Sequence, residues 1–198
     1  MWLEQLEHID HQLFLFINQN GSDTFDGIMS WISQRLFWIW LYLITFVFLY
    51  KKIGHKAWIA LVLVVMSIVL TDLISVHAFK NVFQRYRPCH HEELKEIVRL
   101  VNGKCGGKYG FVSSHAANTT GVFITLWFSG LVSFKRNFSK ETVLFLLLTV
   151  YVLSNVYSRI YLGVHYPSDV ISGIGLGVII GIVMGKLLQF TLQKIEKK

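Results

Sequence analysis

Apolar residues fill five long stretches of the chain, and polar residues gather in the intervals between them. The first 26 residues obey another rule. Leu3, Leu6, Ile9, Leu13, Phe16 and Ile17 recur at helical spacing, with Glu7, Asp10 and His11 elsewhere on the circumference. That pattern predicts an amphipathic helix over residues 2–19, too polar to cross a bilayer and suited to lie in its interface. Asn20-Gly21-Ser22-Asp23 breaks it, and Asp23 or Asp26 is placed to cap the next helix. Five spans are expected next, at about Gly27–Tyr50, Trp58–Phe79, Phe111–Phe134, Thr142–Tyr161 and Pro167–Phe190. At about 1.5 Å per residue each is long enough to cross a hydrocarbon core of about 30 Å. The expected organisation is all-α, a single membrane domain over 1–198. Residues 1–26 form the amphipathic helix and linker, 27–190 a transmembrane bundle with an outer loop at 80–110, and 191–198 a basic tail.

Composition agrees with the pattern. Of 198 residues, 53% are hydrophobic, and the formal net charge is +7. The basic residues sit at the ends of apolar runs, which is a membrane pattern and excludes a nucleic-acid surface. Glu4, Glu7 and Asp10 with no Lys or Arg near them do not read as a cleaved signal peptide. Ten of the nineteen Lys and Arg lie in 51–56, 135–140 and the tail from Lys186, seven lie in 80–110, and none lies in 1–34. The positive-inside rule then expects the two short loops and the tail in the cytoplasm, and loop 80–110 and the turn at 162–166 outside. In the last span Gly173, Gly177, Gly181 and Gly185 form one smooth stripe, read as packing inside the bundle in preference to a dimer seam.

Cys89 and Cys105 are the only cysteines and both avoid the apolar spans. In an oxidising compartment they suit a disulfide that pins the outer loop; two free thiols are the alternative. His90, His91 and Glu92 are adjacent ligand-type side chains, but they lack a distant third ligand at convincing spacing, so no metal is expected there. Arg35, Asp72 and His77 are ionisable residues within the spans, placed to line a cavity or pair with one another.

The topology gathers three polar segments at the outer face: Lys80 to Pro88, Val112 to His115, and Ser158 to Asp169. Their inventory suits a phosphate ester. Arg offers paired donors matched to two phosphate oxygens, and Lys adds a compact charge. Ser113 and Ser114 at a helix N-terminus add hydroxyl and backbone donors. Two histidines divide the work of nucleophile and acid, and Asp169, four residues after His165, is placed to fix its tautomer. Arg85 falls outside these roles and is expected to face headgroups or solvent.

These segments resemble the type 2 phosphatidic acid phosphatase (PAP2) superfamily, which shares its site with vanadium haloperoxidases and some soluble acid phosphatases. The family's Lys, six residues, Arg-Pro motif is matched by Lys80 and Arg87-Pro88. Its Pro-Ser-Gly-His reads here Val112-Ser113-Ser114-His115. Its Ser-Arg, five residues, His, three residues, Asp is matched by Ser158-Arg159, His165 and Asp169. The resemblance covers roughly residues 70–190. It implies that His165 attacks phosphorus to form a phosphohistidine, that Asp169 orients it, and that His115 protonates the leaving oxygen. It implies that Lys80, Arg87, Ser113, Ser114 and Arg159 hold the phosphoryl oxygens, with no metal and no cofactor. The expected function is a lipid phosphatase of the bacterial inner membrane with its site facing the periplasm or cell exterior. Undecaprenyl diphosphate is slightly favoured among substrates that include phosphatidylglycerophosphate, phosphatidic acid and lipid A phosphates. A lipid phosphotransferase and a non-catalytic lipid-phosphate binding or transport protein are the alternatives.

Overall fold

The structure, a computed structural model, describes residues 2–136 and 139–197, with side chains from Glu4 onward. The side chain of Leu3, part of the 135–140 loop and the end of the tail at Lys198 lie outside the described residues. Helices α1 (Trp2–Gln19) and α2 (Asp23–Ile32) lead into a 3-10 turn at Arg35–Trp38. Helices α3 (Ile39–Ile53) and α4 (Ala57–Ile74) come next, and α4 runs on through a π-helical turn, Ser75–Lys80, into the single turn α5 (Asn81–Phe83). After the long outer loop come α6 (Ser114–Phe128), α7 (Lys140–Tyr161) and α8 (Pro167–Glu196).

Helix α6 is the hub, packed most extensively on α8 and flanked by α4 and α7. The glycine stripe makes this possible. A Cβ added at Gly173 would stand 2.5 Å from the Ser113 carbonyl oxygen, and one at Gly177 would stand 2.5 Å from that of Ala117. Only hydrogen fits there, so the two backbones approach closely and the stripe is used up inside the bundle. Away from that seam the helices present large apolar side chains outward; Leu153 is 61% exposed and Ile171 is 68% exposed. Contiguous apolar surface of this extent belongs in lipid.

By length and composition, three helical stretches among the described residues suit a membrane crossing: Arg35–Phe83, Lys140–Tyr161 and Pro167–Glu196. The first is folded back on itself, because Gly54 at φ 59° turns α3 into α4. The expected first span is therefore not one helix. It breaks after Ile32, where Gln34 is extended and the Trp38 indole donates to the freed Ile32 carbonyl at 2.7 Å. The expected third span is shorter as well, since Ser113 caps α6 and Phe128 ends it. Ser22, not Asp23 or Asp26, occupies the cap position of α2. Asp26 instead binds Arg99 at 2.6 Å and the Tyr161 hydroxyl at 2.9 Å.

At one end of the bundle the short basic segments meet. Lys52 pairs with Glu141 at 2.6 Å, Lys135 with the same carboxylate at 2.7 Å, and Lys56 with Glu196 at 3.2 Å. At the other end α1 lies across the bundle. It turns Asp10, Phe14 and Asn18 into the protein and leaves Leu6, Ile9, Leu13 and Phe16 exposed. The face turned inward thus mixes two polar side chains with Phe14, and the face left outward is rich in large apolar side chains. Asn18 fastens it, donating to the carbonyls of Arg99 and Tyr161 at 2.9 Å each and accepting from the Arg99 N–H at 2.8 Å.

Candidate active site

The site is built on the turn between α7 and α8. Gly163 at φ +80° lets the chain double back after α7. Pro167 then takes the first position of α8, where its missing N–H is no loss. Asp169, two residues on, aims its carboxylate back at the turn. Its Oδ2 accepts from the Tyr166 N–H at 3.2 Å and lies 3.3 Å from Nδ1 of His165. Both side chains are buried. Gly110 presses on the pair from the outer loop, where a Cβ would stand 2.8 Å from Asp169 Oδ2.

Three cations act on the histidine of this pair. Burial, and then the charges of Arg87, Arg159 and Lys80, hold the His165 imidazole well below its usual pKa. A neutral ring that gives Nδ1–H to Asp169 keeps its Nε2 lone pair free, which is the state a nucleophile needs. Arg87 is fixed by carbonyls, with Nη1 donating to Cys105 at 2.9 Å and Nε to Tyr109 at 3.3 Å. Burial pulls its pKa down, opposed by Asp169. Arg159 donates through Nη1 to the Ser33 hydroxyl at the end of α2. Its Nε is buried and has no hydrogen-bond partner among the described residues, so one N–H remains for an incoming acceptor.

The start of α6 supplies the third wall. Ser113 donates its backbone N–H to the Asp169 carbonyl at 2.9 Å, which ties α6 to α8 at the reacting centre. Its hydroxyl accepts from the Ala116 N–H at the cap. Ser114 accepts from Lys80 Nζ at 2.5 Å and shares a 2.7 Å hydrogen bond with Ser75. The hydroxyl that stands where the family has glycine therefore positions the lysine. His115 is next in the chain, close enough to Arg159, Arg35 and Arg87 for their charges to act on it.

His115 also borders a cavity of about 400 Å³ between α3, α4, α6 and α7. Arg35 and Asn118 share its polar end, and Trp38, Phe46, Leu49, Val64 and Leu148 line the rest.

All eight residues expected from the sequence converge here. Arg85 departs from expectation. Rather than facing headgroups or solvent, it donates through Nη1 to Asp169 Oδ1 at 2.9 Å and to the Ser168 hydroxyl at 2.6 Å. Through Nη2 it donates to Asp10 Oδ2 at 2.8 Å, and its guanidinium lies 4.2 Å from the centre of the Tyr166 ring. Burial alone would depress Arg85, but Asp169 and Asp10 reverse this and raise its pKa above the usual value. Asp10 completes the network by accepting from the Ser168 N–H at 2.8 Å and from its hydroxyl at 2.5 Å. Sequence reasoning missed Asp10 and Arg85; the one available signal was a carboxylate on a helix otherwise read as an interface anchor. In the outer loop, Cys89 and Cys105 form a disulfide with Cα atoms 6.0 Å apart.

Known proteins share both the sequence and the fold. A profile of the PAP2 superfamily matches residues 56–192. A lipid A 4′-phosphatase of Porphyromonas gingivalis is 34% identical over 178 residues, covering 89% of this chain and 72% of that protein. A lipid A 4′-phosphatase of Bacteroides thetaiotaomicron is 31% identical over 177 residues, 88% of this chain and 75% of that one. The fold resembles the crystal structure of Aquifex aeolicus LpxE, with a TM-score of 0.60 at 23% identity over 88% of this chain and 93% of that one. It also resembles a transmembrane PAP2-type phosphatidylglycerolphosphate phosphatase from Bacillus subtilis, with a TM-score of 0.62 at 18% identity over 98% of this chain and 87% of that one.

Proposed function

The chain belongs to the PAP2 superfamily and is a membrane lipid phosphatase; on that premise we propose that it hydrolyses the 4′-phosphate of lipid A through a phosphohistidine on His165. The observation that carries the mechanism is the buried His165–Asp169 pair under Lys80, Arg87 and Arg159. Nε2 of His165 attacks phosphorus and forms a P–N bond as the P–O bond to the lipid breaks. The leaving oxygen takes a proton from the His115 imidazolium, the form that the negative charge of a bound phosphate favours. Water, giving its proton back to His115, then attacks phosphorus; the P–N bond breaks, phosphate leaves and the imidazole is restored. The three cations, the Ser113 hydroxyl and backbone donors at the start of α6 stabilise the charge on the phosphoryl oxygens in both steps.

The substrate class rests on two observations. The site opens beside an apolar cavity bordered by His115, which suits a lipid with its phosphate at headgroup depth. Two relatives named as lipid A 4′-phosphatases align over nearly the whole chain, which moves the preference from undecaprenyl diphosphate to lipid A. We place the whole chain in one membrane domain of the bacterial inner membrane, with the site toward the periplasm. The meeting of Lys52, Lys56 and Lys135 at the end away from the site supports that orientation.

The test is phosphate release by purified protein from lipid A, undecaprenyl diphosphate, phosphatidylglycerophosphate and phosphatidic acid. Wild type releases phosphate from lipid A fastest and without an added acceptor, and His165→Ala releases none. Appreciable turnover by His165→Ala overturns the mechanism. A clear preference for another lipid overturns the substrate assignment, and dependence on an acceptor hydroxyl makes the protein a phosphotransferase.

A further inference from the structure

Beside the phosphate site, on its outer flank, three ligand-type side chains from distant parts of the chain come together. Glu7 and His11 lie one helical turn apart on α1, with Oε1 and Nε2 separated by 3.9 Å. His91 reaches them from the outer loop, its ring 5.2 Å from that of His11 and nearly edge-on at 75°. One ligand atom from each residue lies within 4.8 Å of the others. The sequence offered His91 no distant partner; α1 supplies two.

Two details separate this cluster from an ordinary surface grouping. Nε2 of His11 and Nδ1 of His91 are buried and without a hydrogen-bond partner among the described residues. Buried imidazole nitrogens without partners are uncommon, and each asks for a ligand. One ring is also held in place. His11 stacks on Tyr166 with centroids 4.9 Å apart, and His91 is two residues from the disulfide at Cys89. Glu7 is largely exposed and free to swing, so it is both the mobile third ligand and the way in from solvent.

We propose that Glu7, His11 and His91 bind a zinc-class divalent cation that fastens α1 to the outer loop. Two neutral imidazoles and one carboxylate with an open fourth position form a donor set suited to zinc. Zinc–ligand bonds of about 2.0–2.1 Å need the three atoms about 1 Å closer together than they stand, within reach of the Glu7 and His91 side chains. The neighbouring group Cys89, His90 and Cys105 is also compact. Its sulfurs are consumed by the disulfide, so it does not compete while that bond is intact. The cation takes no part in the chemistry. It sits one residue along α1 from Asp10, which holds Arg85 and Ser168, and so it stiffens the support behind Asp169.

The test uses tag-free, disulfide-intact full-length protein in detergent, titrated with Zn²⁺ against a chromogenic chelator. Wild type binds one equivalent with Kd of about 1 μM or below. His11→Gln and His91→Asn, which keep side-chain size, each weaken binding by more than about tenfold, and His90→Asn leaves it unchanged. Saturating Zn²⁺ raises the wild-type melting midpoint by roughly 5 °C and those of the two variants not at all. Cobalt gives wild type alone a visible absorption band of a low-coordinate site. Absence of binding at about 100 μM Zn²⁺, or binding that survives both variants or is lost with His90→Asn, overturns the proposal. Variants with metal-free midpoints matching wild type show that the loss is not unfolding; if either falls short, Glu7→Gln, on an exposed residue, must show the same loss of affinity.

Discussion

The Arg85 guanidinium donates to Asp169 Oδ1 at 2.9 Å, leaving the other carboxylate oxygen to face His165. One cation thus holds the orienting carboxylate by the edge the histidine does not use. Removing it leaves Asp169 buried with its charge less well compensated, a change of the kind that costs about 3–5 kcal/mol when a buried pair is broken. Arg85→Ala is therefore expected to lower kcat roughly 100-fold, change KM little and reduce stability. Arg85→Lys should restore part of the rate, because a single charge reaches one carboxylate but not both. Steady-state kinetics on the two variants decides this, and equal kcat in wild type and Arg85→Ala would refute the positioning role.

The buried neutral state of His165 makes stability depend on pH in a definite direction. Its folded pKa lies well below the usual histidine value, chiefly through burial. The unfolded chain takes up a proton near pH 6.5 that the folded chain refuses. The contribution is thus full above about pH 7.5 and is lost as pH falls through about 6.5 toward the folded pKa. Its slope is at most about 1.4 kcal/mol per pH unit for one such group. Melting midpoints from about pH 8 to pH 5 should fall less steeply in His165→Asn than in wild type. Parallel curves would show that His165 is not the group responsible.

Gly177 tests the seam between α6 and α8. A Cβ there meets the Ala117 carbonyl oxygen at 2.5 Å and Thr120 Cβ at 2.8 Å, and backbone cannot step aside as a side chain does. Gly177→Val should destabilise the bundle by about 1–3 kcal/mol or more. Gly175, with nothing within 4 Å of its Cβ position, is the matched control. Unfolding in mixed detergent micelles should separate the two variants, and equal midpoints would mean the seam is looser than described.

Ser114 has gained a task through its hydroxyl, which accepts from Lys80 at 2.5 Å. Ser114→Gly, restoring the family residue, removes that acceptor and lets the lysine wander. One hydrogen bond to a charged group is worth about 1.5–3 kcal/mol, so inhibition by vanadate, which is expected of wild type because vanadate mimics the phosphoryl transition state, should weaken by roughly 10-fold or more. An unchanged inhibition constant would show that Lys80 is held by its helix alone.

The site's motifs were legible because each is local. His165 and Asp169 are one helical turn apart, and the turn geometry that joins them follows from Pro167 and Gly163. Lys80 with Arg87, and Ser113 with His115, are likewise set by short spacings at helix ends. Arg85 and Asp10 were illegible because their partners are remote, 84 residues away for Arg85 with Asp169 and 75 for Asp10 with Arg85. Nothing in the spacing of either residue announces such a contact. The break in the first expected span was hidden for another reason. Leu36, Phe37 and Trp38 keep the stretch apolar while Ser33 turns to Arg159 and Gln34 extends, so hydropathy continues where the helix does not. The glycine stripe, by contrast, was legible as bundle packing, because a four-residue repeat fixes one helix face.

The clasp between Asp10 and Ser168 joins positions 158 residues apart in the chain. A ribosome therefore releases Asp10 long before Ser168. Until the start of α8 is in place, Arg85 has only Asp10 of its two carboxylates within reach and His165 lacks its orienter. Catalytic competence therefore waits on α8, and chains that have not yet inserted it meet membrane lipids without an oriented His165.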